Sequence, residues 1–166
     1  MKTLEEMIDK AVRVIDISSR MKDYPEFAPL SNLGAKPFVF DGVECAGLEG
    51  FLQALKTPDR EQQIEICAFN GPHAKNFGSK IYWQDKQTLY WAGRAYGRHT
   101  EEYQELLSRA YQACYDQCEE FRLLLAKTGN AILKHSIGKD DPTQTILTID
   151  EFVGRLVRLR ACGTLF

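Results

Sequence analysis

Leu48-Glu49-Gly50-Phe51-Leu52-Gln53-Ala54-Leu55-Lys56 is the stretch from which the chain is best read. At about 100° per residue, Glu49, Gln53 and Lys56 share a stripe roughly 60° wide, while Phe51, Leu52, Ala54 and Leu55 take the opposite half. A helix over 48–57 therefore has one half for a core and one that is polar. The polar stripe has two readings. It is a solvated face steadied by the i,i+4 pair Glu49–Gln53, or it is a carboxylate and an amine turned toward one cavity; periodicity leaves both open.

Working outward, Phe38-Val39-Phe40 and Val43-Glu44-Cys45 flank Asp41-Gly42, a strong two-residue hairpin signal. Before it, the segment 19–36 is rich in Pro, Ser, Asn and Gly, yet carries Phe27, Leu30 and Leu33, so an ordered loop is expected there. Thr3 and Glu6 form a capping-box pattern that predicts an opening helix over 3–13, with a short β-branched strand over 14–18. Downstream, Thr57-Pro58 stops the first helix and supplies the N-cap and N1 of a second one, to about Phe69. Gly71-Pro72 restarts a short helix closed by Gly78. Ile81, Tyr82, Trp83, Leu89, Tyr90 and Trp91 suggest short strands between 79 and 97. Thr100 caps a long amphipathic helix through Tyr103, Leu106, Leu107, Ala110, Tyr111 and Cys114. A continuation through Phe121, Leu124 and Leu125 runs to Gly129. A strand over 131–136, a loop over 138–144 and a last helix capped by Thr148-x-x-Glu151 complete the chain. The fold class expected is α+β: a mainly helical single domain spanning 1–166, with a small β-sheet or hairpin.

With 166 residues, 44% of them hydrophobic, the chain can bury roughly 70% of its unfolded surface without a metal or disulfide staple. The formal net charge of −2 lacks the basic field of a dedicated duplex binder, so any nucleic-acid contact is local. Five cysteines without a C-x-x-C pair, and no signal-like N-terminus, fit a reducing cytoplasmic setting. No apolar run is long enough for a bilayer. Cys114 and Cys118 share a helix face, but buried free thiols explain them better than a metal, and no cofactor is called for.

Several of these stretches resemble the YbiA/NADAR family. Ser31-Asn32-Leu33 is similar to its S-N-F, Glu49-x-x-x-Gln53-Ala54-x-Lys56 matches its E-x-x-x-Q-A-x-K, and Ala74-Lys75-x-x-Gly78 resembles its A-x-x-x-G. Looser likeness extends through Leu123-Leu124-Leu125-Ala126-x-Thr128, Leu133-Lys134-His135 and the closing helix to Leu159-Arg160, so that it covers about 14–160. The chain departs from the family pattern at 138–145, where an acidic loop replaces W-G-x-G, beside Lys134-His135, where an acidic residue is missing, and at Asp150, where asparagine is usual.

The resemblance implies metal-independent hydrolysis of an N-glycosidic bond at a ribose C1′. Such a reaction needs a carboxylate near C1′ and an acid near the leaving nitrogen. Glu49 is the candidate for the carboxylate or the proton shuttle. Lys56 holds phosphate or stabilises charge and, ranked second, attacks an opened ribose as a Schiff-base nucleophile. Ser31 and Asn32 suit ribose or phosphate hydrogen bonds, or else an Asx-type turn. Gly50 and Gln53 belong to the same substrate-facing motif. Arg20 and Arg98 are candidate diphosphate ligands; His135 is a donor to base or phosphate, or a core histidine; Trp91 stacks on a base or belongs to the core. Two substrates compete: ADP-ribosylated guanine in nucleic acid, opposed to a DarT-type ADP-ribosyltransferase toxin, which is preferred, and phosphoribosylamino-pyrimidine intermediates of riboflavin synthesis. A non-catalytic module that reads ADP-ribose or NAD is the alternative of another class.

Overall fold

The computed structural model describes residues 1, 3–4, 13–20 and 23–166. Most of the opening helix expected over 3–13 lies outside them. Among the described residues the order is β1 (Val14–Asp16), a 3-10 helix (Pro25–Leu30), β2 (Phe38–Phe40), β3 (Val43–Cys45), α1 (Leu48–Ala54), α2 (Arg60–Ala68), α3 (Gly71–Gly78), β4 (Thr88–Trp91), β5 (Arg94–Gly97), α4 (Glu101–Gln117), α5 (Glu119–Lys127), β6 (Ile132–Lys134) and α6 (Ile149–Cys162). The architecture is α+β and mainly helical, with three separate two-stranded sheets among the described residues. No helix among the described residues is long and apolar enough to cross a membrane.

Each sheet has a local cause. At the β2–β3 turn Asp41 and Gly42 have φ of 47° and 79°, the left-handed pair that a type I′ hairpin demands. Ala92 (φ 50°) and Gly93 (φ 83°) make the same turn between β4 and β5, where the sequence shows no Asn-Gly or Asp-Gly signal. β1 and β6 pair in parallel, Ile15 against Leu133 and Asp16 against Lys134, which delivers His135 to the end of β1.

Two expected boundaries differ. The N-cap of α2 is Asp59, whose Oδ1 accepts from Gln62 N at 3.1 Å, while the Thr57 hydroxyl accepts from Asp59 N. Thr57 precedes a proline, which disfavours helix at its own position and shifts the start onward. The long helix is also broken at Cys118 (φ −106°, ψ 96°), and Arg122 donates to the terminal carbonyls of Tyr115 and Asp116 that the break would leave bare.

α1 is the pivot. It packs on α2 and α3, and Phe51 joins Phe40 and Trp91 in an aromatic cluster with centroids 5.1 to 5.6 Å apart. Gly50 makes that packing possible: a Cβ there would lie 2.9 Å from Ile66 O and 3.0 Å from Cys67 O, both α2 backbone. After Ala54 the helix tightens into i→i+3 bonds, Leu55 N to Leu52 O and Lys56 N to Gln53 O, so Lys56 stays on the polar face two turns from Glu49.

Candidate active site

The polar face of α1 is not open to bulk water. Glu49 (9% exposed) and Gln53 (7% exposed) are buried, and with Lys56 they line a cavity of about 370 Å³. Its other walls come from Asn32 in the loop before β2, Lys75 and Ser79 at the end of α3, Trp83 and Gln84, His135 after β6, and the loop from Ile137 to Thr148.

The site is built by buried hydrogen bonds. Gln53 Nε2 donates to Glu49 Oε1 at 2.8 Å, and Gly78 provides the room: a Cβ there would sit 2.0 Å from Gln53 Oε1. Lys56 Nζ donates to Gly78 O at 3.0 Å, tying α1 to α3. Tyr111 Oη, inside the core, donates to Asn32 Oδ1 at 2.8 Å, which orients the amide so that its NH₂ is left for the cavity. The Asn32 loop itself is held by Lys36, fully desolvated, whose Nζ donates to Ser31 O and Gly34 O.

Burial sets the proton affinities. Desolvation raises the pKa of Glu49, against the pull of its Gln53 hydrogen bond and of Lys75, Lys56 and Lys36. Desolvation lowers Lys56 to about 8, opposed by Glu49 and reinforced by Lys139. Burial thus disfavours the charged form of both groups on this one wall. His135 is likewise held below its ordinary value by burial, with Asp16 pulling the other way; its Nδ1 is buried without a hydrogen-bond partner, and its ring meets Phe152 edge-on.

Of the residues singled out in the sequence, Glu49, Gln53, Lys56, Asn32 and His135 meet at the cavity. Five stand elsewhere. Ser31 is buried and its Oγ accepts from Leu33 N, the local-turn alternative, so it shapes the loop that presents Asn32. Gly50 faces the α2 backbone, Trp91 lies in the aromatic core with Nε1 donating to Asp41, and Arg20 is on the surface away from the cavity walls. Arg98 is 1% exposed and committed to internal partners: Nη1 and Nη2 grip both oxygens of Glu151 at 3.0 Å, and Nε donates to Thr145 O.

Arg98 therefore props the cavity wall from behind instead of meeting a diphosphate. Arg98→Met is expected to destabilise the fold by about 3 kcal/mol, the cost of stripping one partner from a buried pair. The KM of the folded fraction should stay within a factor of about two, since a ligand role would appear as tenfold or more; urea unfolding and steady-state kinetics check the two halves. Among the wall residues that the pattern did not single out are Lys75, Lys139 and Trp83. Lys75 was within reach as the second residue of Ala74-Lys75-x-x-Gly78, whereas Trp83 sits in an irregular stretch with no periodicity to place it.

This cavity sits within a region that the bacteriophage protein GP30.3 family model matches over residues 24–161. The chain belongs to the GP30.3 family. It is 41% identical over 136 residues to the "Uncharacterized 17.1 kDa protein in Gp30-rIII intergenic region" of Enterobacteria phage T4, covering 79% of this chain and 88% of that one. Its fold is that of the Escherichia coli protein YbiA, with a TM-score of 0.57 at 20% identity over 90% of this chain and 83% of YbiA. GP30.3 is a NADAR-type family, so the YbiA/NADAR resemblance of the glutamate helix is borne out.

Proposed function

We propose that this GP30.3-family protein is an N-glycosidase that releases an amino-bearing base from a ribose C1′, and that its substrate is ADP-ribosylated guanine. One observation carries the reading: Glu49 on α1 and Lys56 on the turn that closes it, seven residues apart, face a single cavity with their proton affinities shifted in opposite directions by burial.

The chemistry follows from that pair. Lys75 and Lys139 line the same cavity and can meet the phosphates, which frees Lys56 for the sugar. Glu49 takes the proton of the Lys56 ammonium, and the amine then bonds to C1′ as the base nitrogen departs with the bonding pair and receives the proton from Glu49. One proton of the resulting secondary ammonium passes to O4′ as the C1′–O4′ bond opens to give a protonated imine, and water then releases the aldehyde, which closes again to ribose, and restores the Lys56 ammonium. The net change is one water consumed and one base freed. Asn32, its amide oriented by Tyr111, and His135 are placed to hold ribose hydroxyls or the base edge.

The decisive experiment incubates the purified protein with ADP-ribosylated DNA and, separately, with a phosphoribosylamino-pyrimidine. Release of ADP-ribose from the DNA is expected. Cleavage of the pyrimidine alone makes the protein a small-metabolite glycosidase, and tight ADP-ribose binding without turnover makes it a reader. A repair activity of this kind would oppose an ADP-ribosyltransferase toxin in the cytoplasm.

A further inference from the structure

We infer that Gln87 is a positioning residue for the reaction proposed above: its amide clasps the turn that carries Gln84 to the loop tip that carries Gln144, and so sets where those two cavity-lining side chains meet the substrate; the inference rests on the N-glycosidase reading. Gln87 closes the turn 84–87 that leads into β4. Its amide is fully committed. Nε2 donates to Gln84 O at 2.8 Å and to Thr143 O at 2.9 Å, which uses both of its hydrogens. Oε1 can then only accept, and it lies 2.9 Å from His99 Nε2, so the His99 ring carries a proton on that nitrogen. The main chain adds two ties, Gln87 N to Trp83 O at 3.1 Å and Arg98 N to Gln87 O at 2.8 Å. The backbone of Gln87 has a φ of 47°, in the left-handed region that glycine or asparagine enters more easily. A long side chain held there gains nothing for the turn itself, which points to its use 56 residues away, at Thr143.

The loop that Gln87 reaches is pinned at both feet. Lys139 O accepts from Ile149 N at 3.0 Å, and Thr145 O accepts from buried Arg98 at 2.9 Å. Between those points the chain bends on itself: Gln144 N and Thr145 N both donate to Asp141 O, and Asp141 Oδ1 accepts from the Thr143 amide and hydroxyl. Gln87 ties this turn to the rest of the domain. The two residues next to the clasp are the ones that line the cavity. Gln144 follows Thr143, and Gln84 supplies the other carbonyl. Gln84 Oε1 accepts from Trp83 N at 3.2 Å, which leaves its NH₂ for a ligand, as Tyr111 does for Asn32. The clasped tip also falls within 138–145, where the chain departs from the YbiA/NADAR pattern, so the clasp belongs to a wall that this chain builds in its own way.

Gln87→Gly isolates the side chain, because glycine accepts the left-handed turn and keeps both backbone bonds. On ADP-ribosylated DNA it is expected to raise KM about tenfold with kcat within about twofold of wild type, since Glu49 and Lys56 are held by α1 and α3. An unchanged KM overturns the inference. Gln87→Glu keeps the length and bulk but has no hydrogen for either carbonyl, and should match Gln87→Gly; a wild-type KM in this variant would make Gln87 a spacer and overturn the inference as well. Combined with Gln144→Ala, Gln87→Gly should raise KM by less than the product of the two single effects, because both act on one contact, and a full product counts against the clasp. Hydrogen exchange needs no substrate: amides over 139–145 should exchange faster in Gln87→Gly, and unchanged exchange sinks the clasp whatever the kinetics. A wild type that cleaves neither the DNA nor the pyrimidine, with exchange still faster in the variant, fells the N-glycosidase reading and the positioning role with it, an outcome distinct from failure of the clasp.

Discussion

Glu49→Gln is expected to lower kcat/KM about 10³-fold, roughly 4 kcal/mol of transition-state stabilisation, without loss of fold. The amide has the shape of the carboxyl and can still meet Gln53 across one helical turn, so packing in α1 is preserved. What disappears is the group that relays a proton from Lys56 to the departing nitrogen, and general acid catalysis alone is worth about 10² to 10⁴. The thermal midpoint should not fall. Glu49 is desolvated and its pKa is raised, so the protein stabilises its protonated form. With the folded value above the unfolded one, that contribution is complete below the ordinary glutamate range and is lost as pH climbs through the raised value. A neutral glutamine lacks this loss, so the variant's midpoint should match or exceed wild type near pH 8. Kinetics and thermal unfolding on the same samples check both, and undiminished cleavage would move the chemistry away from this helix.

The features legible in the sequence are those whose cause is local. Asp41-Gly42 announces its hairpin because a type I′ turn needs two left-handed residues side by side. The polar stripe of α1 announces a carboxylate and an amine on one face because 3.6-residue periodicity fixes it. Whether that face was wet depended on 137–148, a segment far along the chain that closes the cavity from the other side. Arg98 shows the same limit: its partner Glu151 lies 53 residues on, and an isolated arginine before a helix looks the same whether it is committed or free. Trp91 alternates with half-buried neighbours in β4, yet only the meeting of β2, α1 and β4 decides that its ring packs on Phe40 and Phe51. The break at Cys118 is local, capped by Arg122 from only a few residues on, but no Pro or Gly marks it in the sequence.

Lys56→Arg is expected to be as damaging as Lys56→Met, each losing about 10³-fold in kcat/KM. If the role of Lys56 were to hold phosphate, the guanidinium would serve as well or better, because it is always charged and grips two oxygens. As the nucleophile it has no replacement: arginine does not surrender its proton at any accessible pH, and methionine has none to exchange. Reduction with borohydride during turnover should leave the sugar attached to Lys56 and to no other lysine, with Lys75 and Lys139 in the same cavity as internal controls. The pH profile follows from the single proton shared by the pair. Loss of that proton as pH rises through about 8, the depressed value of Lys56, should bring the rate down by about tenfold per unit. On the acid side the rate falls once Glu49, its own affinity raised by burial, is protonated together with Lys56. An active Lys56→Arg variant whose alkaline limb has vanished would assign the residue to charge alone and leave the sugar to be attacked by water.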